Sequence, residues 1–115
     1  MGLYGDADLV ATVGVPYTRT FQYQIGTVFI TWANYNILSQ ARDRDGTLLF
    51  LLDPFMAPLG TDATSLVLTI PASMTYALPK EGKWDILAVH KTNGSAFRTP
   101  TPAGRVILLP GISRV

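Results

Sequence analysis

The densest run of residues able to do chemistry is Asp43-Arg44-Asp45-Gly46. It opens like a calcium loop, but such a loop needs an acidic side chain at about its twelfth position. Counted from Asp43, that position is Pro54. Asp-Gly ahead of an apolar run is a hairpin signal, so the segment reads as a solvated turn. His90 is the single histidine. A general base needs a partner that orients it and a nucleophile within reach. Nothing near His90 in sequence supplies either, and it reads as a structural histidine beside a turn. The carboxylates are Asp6, Asp8, Asp43, Asp45, Asp53, Asp62, Glu81 and Asp85. A glycosidase sets two of these across a cleft, yet most fall in segments that read as turns. Asp85 stands apart because it lies within a strand beside Trp84. Its reading is a solvent-face group, or one paired to a neighbouring strand or subunit.

Other chemistries lack their residues. There are no cysteines, hence no disulfide, no thiolate nucleophile and no Cys-ligated metal. One histidine excludes a multi-histidine site. The formal charge is +1, which gives no electrostatic footprint for nucleic acid or an anionic membrane. Arg42, Arg44, Lys80 and Lys83 are too few, and too mixed with acids, to form the positive groove that base stacking requires. The expectation is a protein with no enzymatic activity, no cofactor and no metal. Tyr4, Tyr17, Tyr23, Tyr35, Tyr76, Trp32 and Trp84 raise a different possibility, a sugar-stacking platform. Trp84 reads as core. Trp32 and Tyr35, flanked by Asn34 and Asn36, read as an exposed contact at one end. They carry the alternative function, a carbohydrate-binding module for attachment to a host glycan.

The elements that would position these residues have a period of two. Thr18 to Ile25 alternates, with Phe21, Tyr23 and Ile25 on one face and Thr20, Gln22 and Gln24 on the other. Leu9–Val13, Thr27–Thr31, Asn36–Arg42, Thr47–Leu52, Ser65–Ile70, Gly82–Lys91 and Arg105–Leu109 also read as strands. Asp43–Gly46 and Thr92-Asn93-Gly94-Ser95 read as hairpin turns. Asn93-Gly94-Ser95 also fits a glycosylation sequon, and the turn reading is preferred. Asp53–Asp62 reads as a loop, and Pro71–Leu78 as one helical turn started by Pro71. Seven to eight short strands so spaced predict an all-β, immunoglobulin-like antiparallel β-sandwich, with residues 1–115 as one domain. Met1–Asp8 has neither the positive start nor the apolar stretch of a signal peptide. No run approaches the about 18 apolar residues of a membrane helix, and synthesis in the cytoplasm is the expectation.

Charged residues make up 15% of the chain, against about 25% in an ordinary domain. The deficit is local. Leu48–Leu52, Ile86–Val89 and Val106–Leu109 are apolar on both faces, where a sandwich strand shows one face to water. The segment Asp53–Leu59 adds Phe55, Met56 and Leu59. Large apolar patches mark interaction sites. The predicted protein interface is therefore Phe50, Leu52, Phe55, Met56 and Leu59, with Trp32 and Tyr35 at one end. The competing expectation is that the Tyr4 region and the tail 111–115 of the same chain cover the apolar strands.

A wider pattern runs through these elements. Leu66–Thr75 is followed by Leu78-Pro79, Gly82, Trp84-Asp85-Ile86 and Gly104-Arg105-Val106. The first half has Thr18 to Phe21, Ile30-Thr31-Trp32 and a strand ending at Gln40-Ala41-Arg42. From about Asp8 to Arg114 this order resembles the small β-sandwich virion proteins of tailed bacteriophages. The nearest group is the long-tail-fibre-associated, minor-tail type, with related sandwiches in baseplates and capsid-accessory proteins. Trp84 stands where tyrosine is more usual there, and Ile30-Thr31-Trp32 replaces an Asp-Leu-Thr-Gly. The resemblance implies a structural role in the virion, with other virion proteins and copies of itself as partners, and transfers no catalytic residue.

Overall fold

The computed structural model describes residues 2–3, 8–60 and 63–110, with residues 2, 3 and 101–103 described by their backbone alone. Tyr4, Asp6, Asp62 and the tail 111–115, which entered the readings above, lie outside the described residues. The chain is all-β. Its strands are β1 (Gly2–Leu3), β2 (Leu9–Thr12), β3 (Tyr17–Phe21), β4 (Tyr23–Ile25), β5 (Val28–Phe29), β6 (Tyr35–Asp43), β7 (Leu48–Leu51), β8 (Met56–Leu59), β9 (Ser65–Ile70), β10 (Glu81–His90) and β11 (Ala96–Leu109). They form a five-stranded sheet in the order β2-β11-β10-β6-β7, a three-stranded sheet β3-β9-β8, and a small sheet β1-β4-β5.

The alternating pattern decides what each strand buries. Phe21, Leu66, Leu68 and Ile70 on the three-stranded sheet are buried, as are Ala41, Phe50, Trp84, Ile86, Ala88 and Val106 on the five-stranded one. All belong to one core cluster. The Phe21 and Trp84 rings meet across it, 5.1 Å apart. Two of the buried polar side chains are satisfied by backbone groups. Ser39 Oγ donates to the Asp85 carbonyl at 2.7 Å. Thr75 Oγ1 accepts from the Gly14 amide and donates to the Ala72 carbonyl, each at 2.8 Å, tying the 3₁₀ helix Ala72–Ala77 to the turn after β2.

The structure corrects the strand readings in several places. Thr18–Ile25 is two strands. The chain leaves one sheet after Phe21 and enters another at Tyr23, so Ile25 ends on an exposed hairpin and not in the core. Pairing is mostly antiparallel, but β2 runs parallel to β11. This follows from chain order: β2 sits in the five-stranded sheet and the next strand, β3, in the opposite sheet, so β2 has no hairpin partner beside it. The stretch 53–62 is not simply a loop. A 3₁₀ turn at Asp53–Phe55 leads into β8, which pairs antiparallel with β9. Pro58 fits there because β8 is a terminal strand, where a missing amide donor costs no ladder bond. The last strand begins at Ala96, nine residues before the start read from sequence, because β10 pairs with it on both sides of an irregularity at Trp84/Ile86.

The two hairpin turns form as the sequence predicts. Asp43 Oδ1 accepts from the Asp45 and Thr47 amides, both at 2.9 Å, and Gly46 has φ +87°. In the second turn Asn93 Oδ1 accepts from the Ser95 amide at 2.9 Å, with Gly94 at φ +74°.

Candidate interaction surface

β10 lies at the centre of the five-stranded sheet, and its outward positions set the chemistry of the exposed face. Asp85 and Leu87 alternate with buried Trp84 and Ile86. The register puts Leu51, Gln40 and Asp85 in one row across β7, β6 and β10, and Leu38, Leu87 and Arg98 in the next across β6, β10 and β11. Asp85 accepts from Arg98 at 3.2 Å, a cross-strand ion pair on an exposed surface. That is the pairing role read for Asp85, and such pairs contribute little to stability. Gln40, Arg42, Arg44, Lys83, Asp85 and Arg98 border an open groove of about 550 Å³. Its charges are of both signs, and Arg42 donates to the Gly46 carbonyl at 2.9 Å and to Gln40 Oε1.

His90 is used by its own turn. Its Nδ1 accepts from the Thr92 and Asn93 amides at 3.2 and 3.3 Å, and its ring stands edge-on to Tyr35 at 5.0 Å. Asp53 Oδ1 accepts from the Ser39 amide at 3.2 Å. Asp8 pairs with Arg105 at 2.9 Å. Among the described residues no three His, Asp or Glu side chains come together, and no helix is long and apolar enough to cross a membrane.

The predicted interface residues divide on burial. Leu52 and Trp32 are 0% exposed and Phe50 is buried, so these three are core and not contact residues. The physical reason is phase. In Leu48-Leu49-Phe50-Leu51-Leu52 the aromatic ring points inward and stacks on Phe55 at 5.4 Å, Leu52 lies beneath the following turn, and Leu49 and Leu51 face out. Trp32 starts the 3₁₀ turn Trp32–Asn34 and is held inward, its amide donating to the Ala63 carbonyl at 2.8 Å. Its indole Nε1 is buried, with no hydrogen-bond partner among the described residues. Trp32 therefore cannot stack on a sugar, which removes the platform behind the carbohydrate reading. Tyr35 is half-buried and packs edge-on to Phe97 at 5.4 Å. Phe55 and Met56 are half-buried against the core. Leu59 is exposed, at 59%.

What sequence reading missed are the outward partners of the same segments. Leu38, Leu48, Leu49 and Leu51 are all exposed on β6 and β7. The sequence carried no signal for them, since every residue from Leu48 to Leu52 is apolar, and the irregularity where β7 meets Ala41/Arg42 breaks the alternation so that Leu48 and Leu49 are both exposed. Leu48, Leu49 and Leu51 on β7 and Ala57, Pro58 and Leu59 on β8 lie on edge strands of the two larger described sheets, with Leu38 on β6 beside β7. Across the whole stretch Leu48–Gly60 the sole charge is Asp53, and it is tied to Ser39. This edge can exclude water against another surface, and nothing in it is poised for bond chemistry.

Compared with protein-family models and with curated proteins, the chain matches none.

Proposed function

We propose that the chain is a non-enzymatic virion structural protein of a tailed bacteriophage, a minor tail or capsid-accessory component, that assembles through protein–protein contacts. The observation that carries the assembly reading is the low charge of Leu48–Gly60, with Leu48, Leu49 and Leu51 exposed on β7, Leu38 on β6 next to it and Leu59 on β8. Soluble proteins seldom leave large contiguous apolar patches uncovered. Covering a half-exposed leucine contributes about 1 kcal/mol, so these residues supply roughly 4–5 kcal/mol. Association costs about 4–15 kcal/mol. The leucines alone balance only the low end of that cost, which suits a protein held by many copies at once, where multivalency adds the rest.

The finer fold reading belongs to the same proposal. Equating β3 with the second strand of an immunoglobulin-like sandwich makes β3-β9-β8 the B-E-D sheet and β11-β10-β6-β7 the G-F-C-C′ sheet, the arrangement of the variable-type domain without its last edge strand. The phage assignment is supported by the resemblance between Asp8 and Arg114, whose turn and strand order follows these elements.

The test uses particles from the native source. The chain is expected in purified particles at fixed stoichiometry. Leu59→Asp should lower its incorporation while the isolated variant still unfolds cooperatively. Particles that lack the chain altogether overturn the virion reading, and full incorporation of Leu59→Asp removes the β8 edge from it.

A further inference from the structure

The outward face of the five-stranded sheet carries a charge arrangement that the near-neutral sequence conceals. On β10, Lys83 is exposed and lies between buried Gly82 and Trp84. The register sets it directly beside Arg42 of β6 on one side and Arg105 of β11 on the other. Both arginines are exposed, so three cations stand in one row across three strands, with backbones about 5 Å apart. Like charges directly opposite one another in a sheet are unfavourable. Arg105 is paired with Asp8 at 2.9 Å. The Arg42 guanidinium donates to two neutral acceptors, the Gly46 carbonyl and Gln40 Oε1, which leave its charge uncompensated. Lys83, at the centre, makes no hydrogen bond or ion pair among the described residues. Its outward neighbours along β10 are Glu81 and Asp85, and Asp85 is taken by Arg98 at 3.2 Å. The row is thus one residue deep along the strands, with an acid on each side. Arg42 and Lys83 border the groove of about 550 Å³.

We infer that this row docks a carboxylate-bearing segment of a partner protein, a short run of Asp or Glu whose side chains settle on Lys83 and the flanking guanidinium groups. The inference rests on the assembly reading above and names the chemistry of one partner. Charge complementarity selects the occupant. A carboxylate is planar, matches the fork of a guanidinium and accepts equally from an ammonium. It brings a single negative charge, which fits over Lys83 between Glu81 and Asp85. A nucleic-acid strand brings a phosphate at every nucleotide. Laid along β10 it would cross those two acids, and laid across the strands it would run onto Asp8 beyond Arg105 or onto Leu48 beyond Arg42. Phosphate sites are also commonly built from the free amides of a turn or a helix start. Here β10 is paired on both sides, to β6 and to β11, and side chains supply the donors. An apolar partner would strip water from the cations without replacing it. The whole chain carries only +1, so the attraction is local to the row and fixes where the partner sits.

An amide NMR titration of the full chain tests this. The probe is a neutral-ended peptide with consecutive glutamates, the control is the matching glutamine peptide, and inorganic phosphate and a thymidine oligonucleotide are titrated in parallel. At low salt the glutamate peptide is expected to shift the amides of Arg42, Lys83 and Arg105, and the glutamine peptide is not. Salt at about 1 M, where the screening length is about 3 Å, should abolish the shifts. Lys83→Gln should weaken binding about two- to fivefold, the worth of an exposed ion pair, and Lys83→Glu at least about tenfold by setting like charges together. Lys83 is exposed, so both variants should unfold as the wild type does. No shifts at low salt, or an affinity unchanged in both Lys83 variants, overturns the site. Tighter binding of the oligonucleotide or of phosphate at the row overturns the acidic segment as its occupant. Particles that take up Lys83→Glu as fully as the wild type remove this face from assembly and leave the Leu48–Gly60 reading standing. A chain that binds the peptide but is absent from particles refutes the virion reading and leaves the site.

Discussion

Leu51 and Leu52 are chain neighbours with opposite fates, and truncating each in turn tests the placement of the whole edge. Leu52 is 0% exposed and Leu51 is 47% exposed. Leu52→Ala removes a fully buried side chain and leaves a cavity, which costs about 2–5 kcal/mol. Its position beneath the Asp53–Phe55 turn, against a core of large side chains, gives little room to collapse, so about 3–4 kcal/mol is expected. Leu51→Ala forfeits only half a leucine's burial and opens no cavity, so it should cost about 1 kcal/mol or less. The assay is urea unfolding followed by tryptophan fluorescence, since Trp32 and Trp84 are both buried and both report the loss of the core. With a slope of about 1.5 kcal/mol per molar urea, Leu52→Ala should lower the midpoint by roughly 2 M and Leu51→Ala by well under 1 M. Dilute protein keeps association from adding to the apparent stability of the wild type. Equal losses, or a larger loss at Leu51, would mean that the strand sits in the opposite phase, and the proposed contact edge would fall with it.

Two further outcomes test the framework that holds this edge in place. A β-carbon added at Gly82 would lie 2.1 Å from the Arg42 carbonyl oxygen of β6, a backbone contact that no rotamer change relieves. Gly82→Ala should therefore cost about 3 kcal/mol or abolish folding, and a melting temperature within a few degrees of wild type (about one kcal/mol at this size) would refute the close approach of β6 and β10. The Arg105 guanidinium, hydrogen-bonded to the Asp8 carboxylate, holds that carboxyl below its ordinary 3.8. A folded value lower than the unfolded one contributes stability that is fully present above pH 3.8 and lost as pH falls through the folded value. Relative to Asp8→Asn, the wild type should be more stable at neutral pH, with the difference closing below 3.8. An NMR titration placing Asp8 at or above 3.8 would contradict the pairing.

Much of the fold was legible because it rests on local rules. The period of two, the Asp43–Gly46 and Asn93–Gly94 turns and the 3₁₀ helix behind Pro71 all follow from backbone preferences of a few adjacent residues. Strand phase was legible where polar and apolar residues alternate, as at Thr20-Phe21-Gln22-Tyr23. It was not legible in Leu48–Leu52, where every residue is apolar and periodicity has nothing to contrast. Phe55 shows the consequence. Read as an exposed anchor, it is instead stacked on Phe50, so a charge placed there would act on the fold before it acted on any partner.

The sequence by itself determined that the chain is built from strands, lacks the residues for thiol or multi-histidine metal chemistry, and carries too little charge along Leu48–Leu59. These are properties of composition and of neighbours in the chain. Only the tertiary structure decided which leucines face outward, that Trp32 is core, that β2 runs parallel to β11, and that β7 and β8 end their sheets among the described residues. Each of these depends on which distant segment lies alongside. A strand's inner face and its free edge are defined by partners far away in sequence, and a run of apolar residues fits either side equally well until those partners are in place.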